Sequence, residues 1–479
     1  MLDLNDFITE RGGDINKIKE SQRRRFAPEE VVEEVIALYE EARRARYAAT
    51  QIGSELNAVQ KEIGKKKKAK EDASDLVNQK ADIEKRKKEA EDIAAQKELE
   101  RDRKIRPIGN YVHDSVPVSN NEDDNQIIRT WAPENVAMER PGCLSHHEVL
   151  TRLDGYDPER GVKIVGHRGY CLTGYGLFLN LALINYGLEF LFNKGYKPNQ
   201  PPQFMLKDLM AKTAQLEQFD EELYKVTESD DKSTDKYLIA TSEQPLSALH
   251  DSEWLQEKDL PIKYAGYSTC YRKEAGAHGK DAWGYLPCPP VREVSNITQI
   301  EQFVLTKPDE SWQAFEDMMA TSEEFYKSLG LPYQVVAIVS GALNNAAAKK
   351  YDLEAWFPFQ QEYKELVSCS NCTDYQSRAL DIRFGAKKAT DLKKTYVHAL
   401  NATLCATERT LCCVLENYQR EDVRYRSSRG AAQVHPRRPE FLPYTKDLPK
   451  DSTSQKAKAT KGKPVGADEA TKKMQDLKV

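Results

Sequence analysis

The sequence predicts an α+β protein in which an antiparallel coiled-coil hairpin precedes a domain built on an antiparallel sheet. Three observations lead to this fold class. A strict heptad pattern of apolar residues occupies residues 31–63, and a second helical stretch follows it. Beyond about residue 111, short apolar runs alternate with turns that contain glycine and proline. That region lacks the regular βαβ spacing and the glycine-rich phosphate fingerprint that accompany a parallel sheet.

Length and composition limit the class of protein. At 479 residues, the chain is long enough for two or three domains with a sizeable core. Its formal net charge is −5, so a nucleic-acid site would require local clustering of basic residues. The sequence opens without a basic-then-apolar leader, and its most apolar stretch is interrupted by Asn180, Asn185 and Glu189. Nine scattered cysteines suit a reducing compartment. We therefore expect a soluble cytoplasmic protein with no membrane partner.

The first long helix is predicted by apolar residues spaced alternately four and three apart. This 3.5-residue period is typical of a coiled-coil seam. Pro28 suits the first turn of the helix, and Glu29 and Glu30 suit its positively polarised N-terminus. At about 1.5 Å per residue, the helix would be roughly 50 Å long, too long for most globular cores. The seam consists of Val31, Val35, Leu38, Ala42, Ala45, Ala49, Ile52, Leu56, Val59 and Ile63.

A second helix is predicted over residues 75–104, stopped by Pro107. Its seam is weaker, because Lys80 and Lys87 fall on the apolar stripe. A short turn between two long helices favours an antiparallel hairpin, so we expect an arm over about residues 28–104. The apolar positions of the second stripe are Leu76, Ile83, Ala90 and Ala94.

The tip of this arm, residues 61–70, is strongly basic. Charge runs are usually just solvated, and a solvated turn is one interpretation. The other is contact with nucleic-acid phosphates, with salt-dependent affinity. Aromatic residues for base stacking are absent there, which favours recognition of shape or backbone. The basic residues are Lys61, Lys65, Lys66, Lys67, Lys68 and Lys70.

The remainder divides into a globular body and a tail. We expect domains over residues 1–110, which contain the arm, and 111–448, which contain the sheet. Predicted strands include YLIATSEQ, IEQFVLT, QVVAIVS and TYVHALNATL, and predicted helices cover residues 174–193, 312–329 and 405–420. Residues 449–479 are rich in lysine and almost free of large apolar side chains, as in disordered tails.

Two stretches of the body offer residues for binding and charge neutralisation. Thr241 and Glu243 follow an apolar strand, although such a triplet alone carries little weight. Arg272 and Glu274 lie two apart on a predicted strand and therefore share a face. In isolation, that pair would be interpreted as a surface ion pair.

Two further stretches complete the set. In ELVSCSNC, the carboxylate of Glu365 and the hydroxyl of Ser368 offer oxygen ligands suited to Mg²⁺. In LNATLCATERTLCCVLENYQ, a strand leads into a helix that carries Arg409. The C-x-x-C of Cys369 and Cys372 has no second pair at metal spacing, so we expect no zinc. His146, His147 and His398 are expected to be structural.

These four stretches, in this order behind a coiled-coil hairpin, resemble the class II aminoacyl-tRNA synthetases, specifically the seryl-tRNA synthetase family of eukaryotic cytosolic type. GYKPNQPP at residues 195–202 is similar to the first class motif, a dimer-interface element. Arg272 and Glu274 match the second motif, and Arg409 matches the third. The resemblance covers about residues 1–423 and the later FLPYTKD. It implies a class II domain on an antiparallel sheet and a serine–tRNA ligase that forms AMP and pyrophosphate.

The resemblance also implies roles for individual residues. Arg272 would contact the α-phosphate of ATP and the serine carboxylate, Glu274 the adenosine, and Arg409 the γ-phosphate, and these three form the expected catalytic set. Glu365 and Ser368 would hold Mg²⁺. The full expected ATP site is Arg272, Lys273, Glu274, Glu365, Leu366, Val367, Ser368 and Arg409. The expected serine site is Thr241, Glu243, Arg272, Glu301 and Asn401, with Glu301 placed for the serine hydroxyl.

The resemblance further implies the partners. They are L-serine, serine tRNA and a second copy of the chain, with selenocysteine tRNA an open further substrate. The six lysines of the arm tip would contact the long variable arm of the tRNA across the dimer.

Two segments depart from the family pattern. Where the family has a strand like IFRVHQFEK, residues 285–293 read YLPCPPVRE, and three prolines cannot belong to a central strand. Read one nucleotide out of frame, the codons permit the family residue at every position, and the frame returns at Ile300. Residues 424–439 behave similarly against a looser pattern. We hypothesise that segments 285–299 and 424–439 are frame-shifted, through an error in the recorded sequence or decay of the gene. If the chain is real as written, part of the ATP site is missing and Arg272 is expected to lack its hairpin partner. The alternative function is a catalytically inactive relative that binds tRNA or a protein partner through the arm.

Overall fold

The computed structural model describes residues 1–134, 137–166, 169–213, 223–228, 234–273, 294–385, 395–420, 424–426 and 441–449. Its α-helices are α1 (Ile15–Arg24), α2 (Glu30–Ala69), α3 (Ser74–Ile105), α4 (His146–Arg152), α5 (Pro158–Val165), α6 (Gly174–Asn193), α7 (Lys207–Thr213), α8 (Glu243–Ala248), α9 (Ser311–Ser328), α10 (Tyr375–Ala379) and α11 (Thr407–Tyr418).

The strands are β1 (Gln126–Trp131), β2 (Tyr156–Asp157), β3 (Cys171–Leu172), β4 (Lys197–Asn199), β5 (Phe204–Leu206), β6 (Lys225–Val226), β7 (Lys236–Leu238), β8 (Trp254–Leu255), β9 (Ile262–Lys273), β10 (Val294–Thr306), β11 (Tyr333–Ala337), β12 (Lys349–Phe357), β13 (Glu362–Asn371), β14 (Arg383–Phe384), β15 (His398–Ala406), β16 (Arg424–Arg426) and β17 (Phe441–Pro443). Eight of them form the main sheet in the order β1-β11-β12-β13-β15-β10-β9-β4. Every neighbouring pair in it is antiparallel except β4 and β9, which are parallel. The predicted α+β class is confirmed.

The arm consists of α2 and α3, packed against each other along the predicted seam. Val59, Ile63 and Ile83 form a buried cluster toward the tip, and Ala94 is also buried. Salt bridges such as that from Arg46 to Glu98, at 2.6 Å, connect the helices beside the seam. The predicted coiled-coil hairpin is therefore confirmed.

The first arm helix extends beyond its apolar seam. It continues through Gly64 and the lysine run to Ala69, because lysine is a good helix former and needs no packing partner. Lys70 then adopts a left-handed conformation with φ of 59°, which ends the helix. The six tip lysines are all exposed, five of them on the last turns of α2 or just before them and Lys70 in the turn itself.

The base of the arm is fastened to the body by buried polar contacts. The Arg25 guanidinium donates to the carbonyl oxygens of Asn110, Asn344 and Ala347 at 3.0, 3.0 and 2.5 Å. Burial lowers the pKa of Arg25 to about 10. The Asn110 side chain donates to the carbonyl of Cys372 at 2.9 Å, so the chain after α3 contacts the end of β13.

The main core lies between the sheet and helices α6, α9 and α11. On β10, Ile300 and Val304 contact this core, whereas Phe303 and Leu305 contact a smaller cluster on the opposite face. Helix α6 corresponds to the predicted residues 174–193, and its polar residues do not interrupt it. By length and apolar composition alone, helix α6 could cross a membrane. Its buried residues, such as Leu183, instead pack in the main core.

Strands β9 and β10 form a continuous antiparallel pair within the main sheet. Their register joins Arg272 to Ser295 and Lys273 to Val294. The expectation that Arg272 would lack a hairpin partner is therefore wrong, because residues 294–299, interpreted above as frame-shifted, extend β10 in register. The prolines of the segment and residues 427–439 lie outside the described residues, and the frame-shift hypothesis itself stays a prediction. Residues 424–426 pair with 441–443.

Candidate active site

Four adjacent strands carry most of the predicted site residues. Glu365 and Ser368 lie on β13, Asn401 on β15, Glu301 on β10 and Arg272 on β9. These positions are separated by up to 129 residues in sequence, and the sheet brings their strands next to one another. Thr241 and Glu243 join them from the turn that begins α8, while Arg409 joins them from α11.

Glu301 organises the turn at the start of α8. It is buried on β10, and its carboxylate accepts the hydroxyls of Thr241 and Ser242, both at 2.6 Å. The backbone N–H of Glu243 donates to the same carboxylate at 2.7 Å. A carboxylate has about four acceptor positions, so at least one stays available for a ligand. The predicted strand YLIATSEQ is thus shorter than expected, because Glu301 holds residues 241–243 in a turn.

Glu243 is a second carboxylate beside Glu301. The side chain of Gln376 donates to its Oε1 at 2.7 Å. The pKa of Glu243 is raised to about 7, mainly by burial and also by the neighbouring charge of Glu301, while Gln376 and Arg272 oppose the shift. A cationic group beside Glu243 would therefore stabilise its charged form.

Arg272 supplies the positive charge of this part of the site. Its side chain is exposed, and Nε donates to the carbonyl oxygen of Ala240 at 3.1 Å, just before the turn that Glu301 holds. Lys273 follows it, with its ammonium group 5.6 Å from the ring centre of Tyr224. Glu274, the other predicted residue of this motif, lies outside the described residues.

Asn401 lies half-buried on β15, opposite Phe303 on β10 and Ser370 on β13. Its amide nitrogen is 3.5 Å from the sulfur of Cys372. Glu243 in turn raises the pKa of the buried Cys372 thiol, after burial itself, which has the larger effect. Asn401 therefore approaches the carboxylate pair from the β13 and β15 side.

A β-bulge in β13 explains how Glu365 and Ser368 can act together. Residues three apart in a regular strand point to opposite faces. Here Val367 pairs with Leu353 and Glu365 with Glu354, which leaves Leu366 as the extra residue of a bulge. Leu366 and Val367 are both buried, whereas Glu365 is exposed and Ser368 half-exposed. The two buried residues belong to the core and can offer only backbone atoms to a ligand.

The oxygen ligands around this bulge fit a divalent cation. Glu354 stands opposite Glu365 and Asp352 opposite Ser368. Burial raises the pKa of both Asp352 and Glu354, and the charge of Glu365 raises both further. A cation bound there would relieve this repulsion, and hard oxygen ligands are those that Mg²⁺ prefers. Within the described residues, no three His, Cys, Asp or Glu side chains cluster closely enough to form a preformed metal centre.

Arg409 completes the site at this end. It lies in the first turns of α11, and its guanidinium donates to the backbone oxygen of Glu365 at 3.3 Å. Glu408, its neighbour, accepts the backbone N–H of Thr298 at 2.9 Å and so joins α11 to β10. Two positively charged groups, Arg272 and Arg409, therefore flank the strands that carry Glu301, Asn401 and Glu365.

Some residues of the site were missed by sequence reasoning. Ser242 lies within the predicted triplet, yet its buried hydroxyl was given no role. Gln376 and Asp352 belong to no predicted motif. An alternation of buried and polar positions on β12 could have indicated Asp352, but no pattern in the sequence indicates Gln376.

The remaining predicted residues are placed as follows. His146 contacts Glu416 at 2.8 Å inside the body, and His398 contacts the hydroxyl of Ser311 at 2.9 Å. Cys369 and Cys372 are buried thiols.

Comparison with known proteins decides the family. Residues 1–112 match the seryl-tRNA synthetase N-terminal domain, and residues 224–418 match the tRNA synthetase class II core domain (G, H, P, S and T). The chain is 60% identical over 460 residues to the cytoplasmic serine–tRNA ligase of Schizosaccharomyces pombe, covering 96% of this chain and all of the relative. The chain belongs to the seryl-tRNA synthetase family.

Solved structures of this family share the fold. The cytoplasmic serine–tRNA ligase of Naegleria fowleri, in complex with AMP, is 44% identical with a TM-score of 0.78, covering 93% of this chain and 99% of that one. The seryl-tRNA synthetase of Pyrococcus horikoshii, complexed with ATP, is 34% identical with a TM-score of 0.79, covering 93% of this chain and 100% of that one. The predicted resemblance and the enzyme class, an aminoacyl-tRNA ligase of cytoplasmic type, are confirmed.

Proposed function

We propose that this chain activates L-serine with ATP and transfers the serine to the 3′ end of serine tRNA, through the residues described above. The observation that carries the proposal is the juxtaposition of a carboxylate pair, Glu243 and Glu301, with Arg272 on the neighbouring strand. A zwitterionic amino acid needs an anionic partner for its ammonium group and a cationic partner for its carboxylate. The carboxylate pair and Arg272 supply these two partners, and they lie beside the strands that carry the predicted ATP residues.

Serine activation is an in-line displacement at the α-phosphate. A serine carboxylate oxygen attacks phosphorus, the bond to the bridging oxygen breaks, and pyrophosphate leaves with its electron pair. Little covalent help is required, so positioning and charge neutralisation supply the rate. Arg272 suits this step because its planar fork can contact the α-phosphate and the serine carboxylate together. Arg409 would neutralise the γ-phosphate at the other end of the site.

Magnesium is part of this proposal. Glu365 and Ser368 would hold the ion, since the bulge of β13 allows both to serve one face and the nearby carboxylates favour a cation. When bound, the ion supplies charge neutralisation at the triphosphate. The backbone of Leu366 and Val367, with Lys273 and Glu274, completes the proposed ATP site.

Serine would be selected by the polar groups that face it. Glu243 would receive the ammonium group, and the remaining acceptor position of Glu301 would receive the hydroxyl. Thr241 and Asn401 complete the pocket. An amino acid without the hydroxyl leaves a buried acceptor unsatisfied, which is costly, so alanine should be rejected.

Transfer to tRNA involves the arm. We assign residues 1–110 as the tRNA-binding domain and 111–448 as the catalytic domain. The exposed lysines at the end of α2, from Lys61 to Lys70, would contact the phosphates of the variable arm. The ribose hydroxyl of the terminal adenosine then attacks the seryl carbonyl of the adenylate, and AMP leaves.

We also propose a homodimer. The N-terminal half of α6 exposes Leu177, Phe178 and Leu181, which are 42%, 36% and 37% exposed although the helix is in the main core. Val162 and Val165 on the neighbouring α5 are also exposed. Apolar side chains gathered on one surface are typical of subunit interfaces. A second copy covering this face would also allow one subunit's arm to serve the other subunit's site.

The experiment that tests the function is charging of serine tRNA with labelled serine by the purified chain, with Arg272→Lys as the matched variant. The parent should form seryl-tRNA. The variant keeps the charge but loses the bidentate fork, and should lose about a hundredfold in kcat/KM without loss of folding, because Arg272 is exposed. No charging by a folded parent would contradict the proposal. The comparisons give no support to the inactive alternative.

A further inference from the structure

Gln376 contacts the proposed serine pocket from outside every family motif considered above. It lies on the short helix α10 and is only 3% exposed. Its Nε2 donates to Glu243 Oε1 at 2.7 Å. Its other amide atom, Oε1, is fully buried and has no hydrogen-bond partner among the described residues. A buried acceptor without a donor is costly and is kept only where something compensates for it.

The orientation of this amide follows from the chemistry of Glu243. An ionised carboxylate only accepts hydrogen bonds, so the NH₂ group of Gln376 must face it and the carbonyl oxygen must face away. Glu243 also lies near charged groups of both signs, Glu301 on β10 and Arg272 on β9, and near the neutral Cys372 thiol just after β13. The hydrogen bond from Gln376 lowers the pKa of Glu243 against the larger effect of burial. It therefore favours the charged form that an ammonium group requires.

Gln376 is held in place by contacts on both sides of it. The Tyr375 hydroxyl donates to the carbonyl oxygen of Ile108 at 2.8 Å. Arg378 forms a salt bridge with Asp3 at 2.8 Å. Helix α10 is thus fastened to the N-terminal region that bears the arm, and its glutamine is fixed before any substrate arrives. A fixed donor loses little entropy on binding, which strengthens its contribution to affinity.

We propose that Gln376 is a positioning and specificity residue for serine: its NH₂ group holds the Glu243 carboxylate in the orientation and the charged form that receive the substrate ammonium. This inference rests on the proposed function, since it assumes that Glu243 lies in the serine pocket. It predicts an effect on serine alone. The ATP site proposed above does not include Gln376, so ATP binding should not require it.

The test compares Gln376→Met, which removes both polar atoms at similar volume, with Gln376→Glu, which keeps the shape but places a second charge beside Glu243. The control is Tyr333→Phe, which removes an equivalent hydrogen bond, of 2.8 Å, to the buried carboxylate of Glu323 far from the pocket. Serine binding is measured by calorimetry, and KM and kcat by serine-dependent ATP–pyrophosphate exchange without tRNA. Thermal unfolding confirms that each variant is folded.

Both Gln376 variants should raise the Kd and KM for serine by about tenfold or more, the loss typical of a hydrogen bond to a charged group. The KM for ATP should stay within about twofold, and Tyr333→Phe should change neither KM. Folded Gln376 variants with the parent's serine affinity would overturn the inference, as would an equal rise in the KM for ATP. A parent that binds serine but exchanges no pyrophosphate would contradict the catalytic proposal alone. A parent that binds no serine would overturn both.

Discussion

At the scale of single residues, two carboxylates with different hydrogen-bond partners organise the candidate site. Glu301 is satisfied by two hydroxyls and a backbone N–H, whereas Glu243 depends on one amide. The first arrangement builds the turn before α8, and the second leaves a carboxylate whose charge depends on its surroundings. This difference leads to a prediction about pH.

Serine affinity should rise between about pH 6 and about pH 8, since burial raises the pKa of Glu243 to about 7. Below that value the raised pKa keeps the carboxyl neutral, and above it the carboxylate is charged and attracts the serine ammonium, which stays protonated over this range. The measurement is the KM for serine against pH in pyrophosphate exchange. Glu243→Gln serves as the control, and its profile should be weak and flat. A parent whose KM for serine does not change across this range would contradict the role of Glu243.

The sequence predicted site residues only where motifs carry them, and their roles stay predictions. Thr241, Glu243, Arg272 and Arg409 were all predicted, because their spacing within short stretches is characteristic of the family. Gln376 was not predicted, because its position depends on α10 folding back against α8. No local pattern in a sequence reports such a contact.

At the scale of elements, the arm shows what heptad spacing can and cannot predict. The seam and the antiparallel pairing followed from the apolar stripe, and lysines on the second stripe are accommodated because their stems pack while their ammonium groups reach solvent. The end of α2 was not predicted, since the last turns have no apolar seam and are helical by propensity alone.

The seam should determine the stability of the arm. Ile83→Ala removes a side chain that is 1% exposed and contacts Val59 and Ile63, and should cost about 2–4 kcal/mol. The matched control is Ile93→Ala on the same helix, where the side chain is 57% exposed and the cost should be small. Hydrogen exchange of α2 and α3 measures the difference. Equal protection in the two variants would show that the helices do not pair along this seam.

The lysines of the tip should contribute to tRNA affinity through phosphate contacts. Lys67→Ala with Lys68→Ala should weaken serine tRNA binding and reduce the slope of log affinity against log salt by about 1–2. Exchange of pyrophosphate without tRNA should be unchanged. The charge-matched control is Lys258→Ala with Lys327→Ala, two exposed lysines of the body, one just before β9 and one on α9. If both double variants changed the salt slope equally, the tip would contribute only net charge.

At the scale of the whole molecule, the main sheet brings together the proposed serine and ATP sites, whose residues are far apart in the sequence. The pattern of apolar runs and turns predicted an antiparallel sheet, but not its strand order. Paired strands are distant in sequence: α10 lies between β13 and β15, and β11 to β13 lie between β10 and β15. Residues 294–299 illustrate the same limit. They depart from the family pattern, yet β9 provides a template along which they extend β10 in register.

The proposed homodimer can be tested at the exposed apolar surface of α6. Leu181→Asp places a charge in the proposed interface and should convert the dimer to monomer, measured by sedimentation at micromolar concentration. Ile127→Asp is the control, because Ile127 is 56% exposed on the edge strand β1 and should not affect association. A parent that sediments as a monomer would contradict the proposed dimer.

The central claim is that the residues of β9, β10 and the α8 turn activate serine in the chain as printed. The most direct measurement is ATP–pyrophosphate exchange by the full chain with serine, alanine or no amino acid, with Arg272→Ala as the inactive reference. We expect exchange that requires serine, is at least about a hundredfold weaker with alanine, and is lost in the variant. A folded parent that binds serine tRNA but shows no serine-dependent exchange would contradict the account and favour the inactive relative.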